Sequence, residues 1–251
     1  MSKVFISGSI SIKNLPVCVE ESIKKIIDAK LEILVGDADG IDTMVQNYCK
    51  KLNYNAVTVY SIYKIPRYKI QDFCNKYIIV ENNSKKEREL QQEKDQAMTL
   101  DSEYSFVIWD GKSKGSYQNI LRAIDNNKKI KLYLENENKF LETIKISKNE
   151  IDYLFRKNNG YTASEIVEYL KKEGEEYFQN TKIFNKCLLD NNVLKKEESV
   201  YIPMPEYEYL FYIDKYRGQI KGIRFTNEFI NWIEKWIQKN KQPEEFDLFH
   251  I

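Results

Sequence analysis

The first 135 residues repeat a pattern in which a short apolar run is followed by a longer amphipathic segment. Apolar runs of four to six residues are typical of buried strands, and apolar residues recurring every three or four positions indicate helices. The predicted strands are Lys3–Ser7, Glu32–Val35, Ala56–Tyr60, Tyr104–Trp109 and Lys129–Leu134, with a further candidate at Tyr77–Val80. Helices are predicted near 17–29, 41–52, up to Leu100, and over 116–126. Strands that alternate with helices predict a mostly parallel sheet with helices on both faces.

The pattern changes after about residue 145, where amphipathic segments rich in tyrosine and lysine replace the strand-helix repeat. Thr162 with Glu165 three positions later is a capping-box signature for a helix start, and a second short helix is predicted from Asn180/Thr181. We also predict a hairpin of Ser199–Ile202 and Leu210–Ile213 joined at Pro203/Pro205, and a last helix over Thr226–Ile237. The order resembles a winged helix-turn-helix. It predicts a smaller α+β domain over 146–251, after a first domain over 1–145.

Two glycine turns, Gly36–Asp42 and Asp110–Ser116, each follow a predicted strand and open a predicted helix. Backbone N–H groups at such a turn, backed by the positive end of the helix dipole, suit a phosphate or another anion. Ligands of parallel sheets bind beyond the carboxyl ends of the strands, so both turns and the Gly8-Ser9 turn after the first strand are expected to meet there. The candidate ligand-binding residues are Gly8, Ser9, Gly36, Asp37, Asp39, Gly40, Asp42, Asp110, Gly111, Lys112, Ser113, Gly115, Ser116 and Asn119.

The residues of the turns predict different roles. Gly36 and Gly40 are expected where a Cβ atom would block the ligand. Asp37 and Asp39 would repel a phosphate, so they suit sugar hydroxyls or a base edge, and Asp39 could instead cap the helix that begins at Ile41. In the second turn we expect Ser116 to cap its helix, with Lys112 nearby as a source of positive charge. For Gly8 and Ser9, which would let the backbone approach a phosphate, the alternative is an ordinary strand-to-helix turn.

Composition narrows the possibilities. The chain has 39 basic and 38 acidic residues, so its net charge argues neither for nor against nucleic acid. Its single histidine, His250, speaks against common zinc sites and histidine-dependent catalytic triads, and we predict no metal and no required cofactor. The four cysteines are scattered, which predicts buried free thiols and a cytoplasmic protein. No apolar run has membrane-spanning length, so no membrane contact is predicted.

Three motifs in order carry a resemblance to a known family: the Gly-Ser turn at Gly8, Gly-Asp-Ala-Asp-Gly-Ile-Asp at Gly36–Asp42, and Trp-Asp-Gly-Lys-Ser-Lys-Gly-Ser at Trp109–Ser116. Together they resemble the SLOG superfamily, which includes the DNA-processing Smf proteins and the LOG phosphoribohydrolases. The resemblance covers about residues 1–135 and implies a Rossmann-like sheet that binds a nucleotide or nucleotide-derived ligand. More loosely, 160–240 resembles the winged-helix end of phage antirepressor proteins. A phage or defence context would fit both halves.

The chain departs from the hydrolase pattern, because Asn119 falls where the LOG enzymes place a catalytic glutamate. An amide cannot act as a base at neutral pH, so we predict a protein that senses or sequesters its ligand rather than an enzyme. The alternative is an N-glycosidic-bond hydrolase that uses Asp39, Asp95 or Asp110, although Asp95 could also lie on a solvated helix face. A second alternative is DNA binding, which is not favoured because residues 151–251 hold 15 basic and 17 acidic residues. Homo-oligomerisation is left open.

Overall fold

A computed structural model describes residues 1–78, 86–143, 146–216 and 218–241 of the chain. The chain divides into two compact units, Met1–Leu154 and Phe155–Ile251. None of the described helices is long and apolar enough to cross a membrane.

The first unit follows the predicted strand-helix order. Its elements are β1 Lys3–Gly8, α1 Val17–Asp28, β2 Glu32–Val35, α2 Ile41–Lys51, β3 Val57–Ser61, β4 Cys74–Tyr77, α3 Glu87–Leu100, β5 Tyr104–Trp109, α4 Lys114–Asp125, β6 Lys129–Leu134 and β7 Lys139–Leu141. One sheet holds all seven strands in the order β4-β3-β2-β1-β5-β6-β7. All neighbours are parallel except β6 and β7. The prediction of a mostly parallel sheet is confirmed.

Helices cover both faces of this sheet, because successive side chains of a strand point to opposite faces. Val4 and Ile6 of β1 pack with α1 and α2, whereas Phe5 between them packs against Met98 of α3. Helix α4 lies beside α3. The chain leaves β1 in one direction across the sheet and returns to its other side at β5, so the strand order reverses between β1 and β5. Reversal points of this kind are where parallel sheets open a crevice for ligands.

Three predictions for the first unit need correction. Helix α4 begins at Lys114 with Ser113 as its N-cap, so Ser116 is not the capping residue. The edge strand β4 covers Cys74–Tyr77, earlier than predicted, and residues 79 and 80 of the prediction lie outside the described residues. Cys49 is buried but Cys74 is exposed, so the four thiols are free without all being buried.

Helix α5, Lys148–Asn159, crosses the boundary between the two units. The described residues of the second unit after it form three α-helices and two hairpins. Its elements are α6 Ala163–Lys172, α7 Thr181–Asp190, β8 Leu194–Glu197, β9 Val200–Pro203, β10 Phe211–Tyr216, β11 Gln219–Phe225 and α8 Asn227–Lys241. The capping box at Thr162 and the helix start at Asn180 are confirmed. The core of this unit joins Ile166 and Leu170 of α6, Phe184 of α7, Phe225 of β11 and Phe229 of α8.

The predicted hairpin of Ser199–Ile202 with Leu210–Ile213 is wrong. Strand β9 pairs with β8, and β10 pairs with β11. Between the two hairpins the chain forms a short 3-10 helix, Pro205–Leu210, instead of a turn. The misassignment arose because Lys195, Lys196 and Glu197 of β8 are exposed and give that strand no apolar signal.

Candidate functional site

A cavity of about 270 Å³ opens where the strand order reverses, between α3 and α4 at the carboxyl end of β1. Side chains of β1, the turn after β2, the segment after β3, α3 and α4 line it. Both glycine turns therefore reach the same cavity, through Asp42 from the first and Gly115 from the second. Of the sequence-predicted site residues, those that line the cavity are Gly8, Asp42, Asp95, Ser113, Gly115, Ser116 and Asn119.

The amino end of α4 forms one wall of the cavity. The first amides of an α-helix have no acceptor within the helix. In α4 the Ser113 hydroxyl accepts one of these amides, the N–H of Ser116, at 3.5 Å. The hydroxyls of Ser9 and Ser116 lie 3.2 Å apart, and Ser9 Oγ also accepts the amide of Asp110 at 3.2 Å. Ser9 thereby links β1 to the second turn, although it is not a lining residue. This wall offers amide and hydroxyl donors at the positive end of a helix dipole.

Of Gly36, Gly40 and Gly115, Gly115 is the one beside open space, although a close ligand approach was predicted for the other two. A Cβ atom added there would meet only Ser113 Oγ, at 4.0 Å, and the residue lines the cavity in the first turn of α4. At a position within a helix, alanine is more stable than glycine by about 1 kcal/mol. Because neither the protein packing nor a left-handed backbone requires glycine here, the space beside Gly115 is available to a bound molecule.

Gly8, Gly36 and Gly40 serve the fold instead, which corrects the expectation that their absent side chains make room for a ligand. A Cβ atom on Gly8 would lie 2.5 Å from both the carbonyl oxygen of Ile108 and the side chain of Ile41. At Gly40, where φ is +79°, it would meet the backbone of Ile10 at 2.6 Å.

The case of Gly36 is different, because its nearest neighbours are charged side chains. A Cβ atom there would lie 2.2 Å from Asp42 Oδ2 and 3.1 Å from Lys94 Nζ. The missing side chain thus admits a carboxylate and an ammonium group of the protein itself.

An acid-lysine group borders the cavity opposite α4. Lys94 is 4% exposed and its ammonium lies 3.5 Å from Asp95 Oδ1. Asp42 Oδ2 accepts the amide of Ala38 at 3.2 Å. Burial raises the pKa of Asp42 to about 6, although the charge of Lys94 opposes the shift. A carboxyl group that titrates near neutral pH can donate or accept a proton at a bound molecule.

Two buried polar groups at the cavity have no hydrogen-bond partner among the described residues: Ser7 Oγ and Gln91 Nε2. Ser7 is 4% exposed and occupies the carboxyl end of β1, on the same sheet face as Phe5. Buried polar groups are nearly always hydrogen-bonded, since leaving one unsatisfied costs about 1–3 kcal/mol. Both unsatisfied groups belong to residues that line this one cavity.

Asp37 does not line the cavity, so its position does not fit the predicted contact with sugar hydroxyls. It is fully buried and accepts Ser61 Oγ at 2.8 Å, the amide of Arg67 at 3.1 Å and the Arg67 guanidinium at 2.9 Å. Burial alone would raise the pKa of Asp37, but these hydrogen bonds outweigh it and hold the pKa below its usual value. Asp37 thus anchors Arg67, which itself lines the cavity.

Asp39 and Asp110 do not line the cavity, so neither fits the role of a catalytic acid there. Asp39 is exposed, and α2 begins after Gly40 with no side-chain cap, which also corrects the predicted capping by Asp39. The Asp110 carboxylate accepts hydrogen bonds within its own turn, from the amides of Lys112 at 2.9 Å and Ser113 at 2.7 Å. It also accepts one from the hydroxyl of Ser11.

Asp110 and Lys112 line a separate cavity with Ser11, and Gly111 supplies a positive φ of 76° to the turn between them. The described residues contain no group of three or more histidine, cysteine or acidic side chains that could hold a metal ion.

Comparison with protein-family models, with curated proteins and with solved structures finds no match to this chain. The site is therefore interpreted from its own chemistry.

Sequence reasoning missed Ser7 and Gln91 as site residues. Ser7 is a polar residue at the end of an otherwise apolar strand, and that break in the pattern was the available signal. Gln91 is one of many polar residues on α3, and the sequence alone does not distinguish it from the solvated ones.

Proposed function

We propose that the cavity between α3 and α4 binds a nucleotide or nucleotide-derived ligand, and that the protein senses or sequesters this ligand. The observation that carries the proposal is the pair of unpartnered groups, Ser7 Oγ and Gln91 Nε2, at the wall of a cavity that also meets the amino end of a helix. In its sequence motifs the site also resembles the SLOG superfamily, which supports the same class of ligand.

The two sides of the cavity suit the two parts of such a ligand. A phosphate fits the amino end of α4 beside Gly115, where amides, hydroxyls and the helix dipole favour negative charge. The opposite side, with Asp95 and the carboxyl of Asp42, offers acceptors for hydroxyl donors such as those of a sugar. The second unit, with its winged-helix-like order of elements, is proposed to act as an interaction module.

The test is calorimetric titration of the full chain with a panel of nucleoside monophosphates, using Gly115→Ala as the diagnostic variant. We expect saturable binding by the wild type and a loss of at least about tenfold in the variant, because the added methyl occupies the phosphate position. Gly222→Ala is the matched control, since a Cβ there also meets no protein atom, and this residue of β11 is not among those that line the cavity. Equal affinity of the wild type and Gly115→Ala would contradict the proposal.

Hydrolysis of an N-glycosidic bond is a second candidate function, favoured by the raised pKa of Asp42, about 6, near Asp95 at the same cavity. Glycosidic cleavage commonly uses one protonated and one ionised carboxyl group. The same monophosphates incubated with the protein would release free base, detected by chromatography, and Asp95→Asn would abolish the release. Binding without release in the wild type favours the sensor.

A further inference from the structure

A second cavity, of about 280 Å³, lies on the opposite face of the sheet from the first. It is bordered by α1, β5 and β6. The strand register pairs Tyr104 with Lys129 and Phe106 with Lys131, which places all four on the face that carries α1, since Phe106 packs in the same core as Val19. We call this cavity the lysine groove, after Lys25, Lys129 and Lys131.

The floor of the lysine groove is apolar. Val4 and Phe106 are buried beneath it, and Ile26, Leu31 and Tyr104 are partly buried at its sides. In a sheet covered by helices on both faces, strand positions such as those of Lys129 and Lys131 are ordinarily apolar. Here they are lysines, so this part of the sheet face combines an apolar surface with positive charge.

The described part of the chain places no acidic partner beside the three ammonium groups. Lys131 donates to Ser22 Oγ at 2.8 Å and lies 4.5 Å from the ring centroid of Phe140, and Lys129 lies 5.6 Å from that of Tyr104. Among the described residues, no carboxylate lies within 4.0 Å of any of the three. Burial and the neighbouring charge of Lys25 lower the pKa of Lys131. An anion placed between these lysines would relieve their mutual repulsion.

We propose that the lysine groove binds a small organic anion with a planar apolar body. A carboxylate, sulfonate or phosphate group contacts Lys129 and Lys131, while the body lies on Tyr104 and the apolar floor. The volume is close to the lower end of the range for small-molecule sites, about 300–1,000 Å³. It therefore suits a ligand of about two fused rings rather than a peptide helix. This site is independent of the cavity between α3 and α4.

The experiment uses 1-anilinonaphthalene-8-sulfonate as the anionic probe and N-phenyl-1-naphthylamine, which lacks the sulfonate, as the neutral one. Fluorescence titration of the full chain is expected to show saturable binding of the anionic probe, at least about tenfold tighter than the neutral probe. Lys129→Met/Lys131→Met removes both charges but keeps side chains of similar length. We expect this variant to bind the anionic probe at least about tenfold more weakly and to bind the neutral probe with unchanged affinity.

The matched control is Lys139→Met/Lys148→Met, which removes two exposed lysines that have acidic partners, and it is expected to change neither affinity. Lys25→Glu is a second diagnostic variant, because Lys25 is an exposed residue of α1 and its replacement changes no residue of the sheet. This variant too should bind the anionic probe at least about tenfold more weakly than the wild type.

Three outcomes would overturn the proposal: unchanged affinity of Lys25→Glu, equal affinities of the two probes for the wild type, or a loss of probe binding in Gly115→Ala, which would place the probe in the other cavity. Failure of nucleotide binding in calorimetry leaves this test unaffected, so the two proposals fail separately.

Discussion

At the residue scale, Asp42 makes stability depend on pH in a direction opposite to that of most acidic residues. Its pKa is raised from 3.8 to about 6, chiefly by burial. A carboxyl group with a higher pKa in the folded state binds more protons there than in the unfolded state. Its stabilising effect is therefore complete below the unfolded pKa and is lost as the pH rises through about 6.

We accordingly expect Asp42→Asn to gain stability relative to the wild type as the pH rises from 4 to 7. Between pH 4 and pH 7, the unfolding free energy of the variant should rise relative to that of the wild type by about 1–3 kcal/mol. Screening by solvent reduces this effect. Urea unfolding of both proteins across this range measures it. Taking the difference removes the contribution of Asp37 and Asp110, whose lowered pKa values act in the opposite direction. Parallel curves for the two proteins would show that Asp42 does not titrate in this window.

Gly36 and Gly115 predict opposite effects of the same substitution. Gly36→Ala brings a methyl group within 2.2 Å of the Asp42 carboxylate, and we expect it to lower the unfolding free energy by about 1–3 kcal/mol. Gly115→Ala meets open space in a helix, and we expect it to leave stability unchanged or to raise it by up to about 1 kcal/mol. Thermal unfolding of the two variants compares them directly. A destabilised Gly115→Ala would mean that the fold, rather than a ligand, requires this glycine.

At the element scale, the capping box of α6 gives a local measure of helix stability. Thr162 Oγ1 accepts the amide of Glu165 at 3.3 Å, and Glu165 Oε2 accepts the amide of Thr162 at 2.8 Å. Thr162→Ala removes the first of these bonds and should cost about 1 kcal/mol in chemical denaturation. Thr162→Ser keeps the hydroxyl and serves as the control. A loss of the same size in both variants would contradict the capping role.

The accuracy of the predicted elements follows their burial. Strands β2, β5 and β6 were predicted at their observed bounds, because central parallel strands are apolar along most of their length. Strand β8 was missed because three of its four residues are exposed and charged, and strand β7 was missed because it is only three residues long. The predicted start of helix α4 is later than the observed one, because Ser113 and Ser116 are both reasonable N-caps from sequence. Only the hydrogen bond from the amide of Ser116 to the Ser113 hydroxyl identifies Ser113 as the cap.

At the scale of the whole molecule, each unit has its own buried core. Phe184 is fully buried in the second unit, in contact with Phe225 and Phe229. We expect Phe184→Ala to destabilise the second unit by about 3–5 kcal/mol and the first unit much less. Hydrogen exchange followed by mass spectrometry reports on the two units separately. Equal loss of protection in both would show that they unfold together.

The position of the candidate site was predictable at this scale, whereas its chemistry was not. A parallel sheet brings the carboxyl ends of its strands to one edge, and this rule placed Ser113, Gly115 and Ser116 at a cavity with Asp42. The sequence does not show which side chains α3 directs toward that edge. Lys94 and Gln91 therefore became site residues only once α3 was located next to α4.

The place of β1 in the middle of the sheet has a consequence for synthesis on the ribosome. One neighbour of β1 is β5, and the pairing of Val4 with Tyr104 spans a hundred residues of chain. Until Trp109 has left the exit tunnel, the nascent chain carries an apolar strand with one open side, and such open sides attract other chains. Pausing of translation before that point would thus lengthen exposure of Val4–Ile6 to chaperones, and the yield of native protein should be sensitive to codon choice in this stretch.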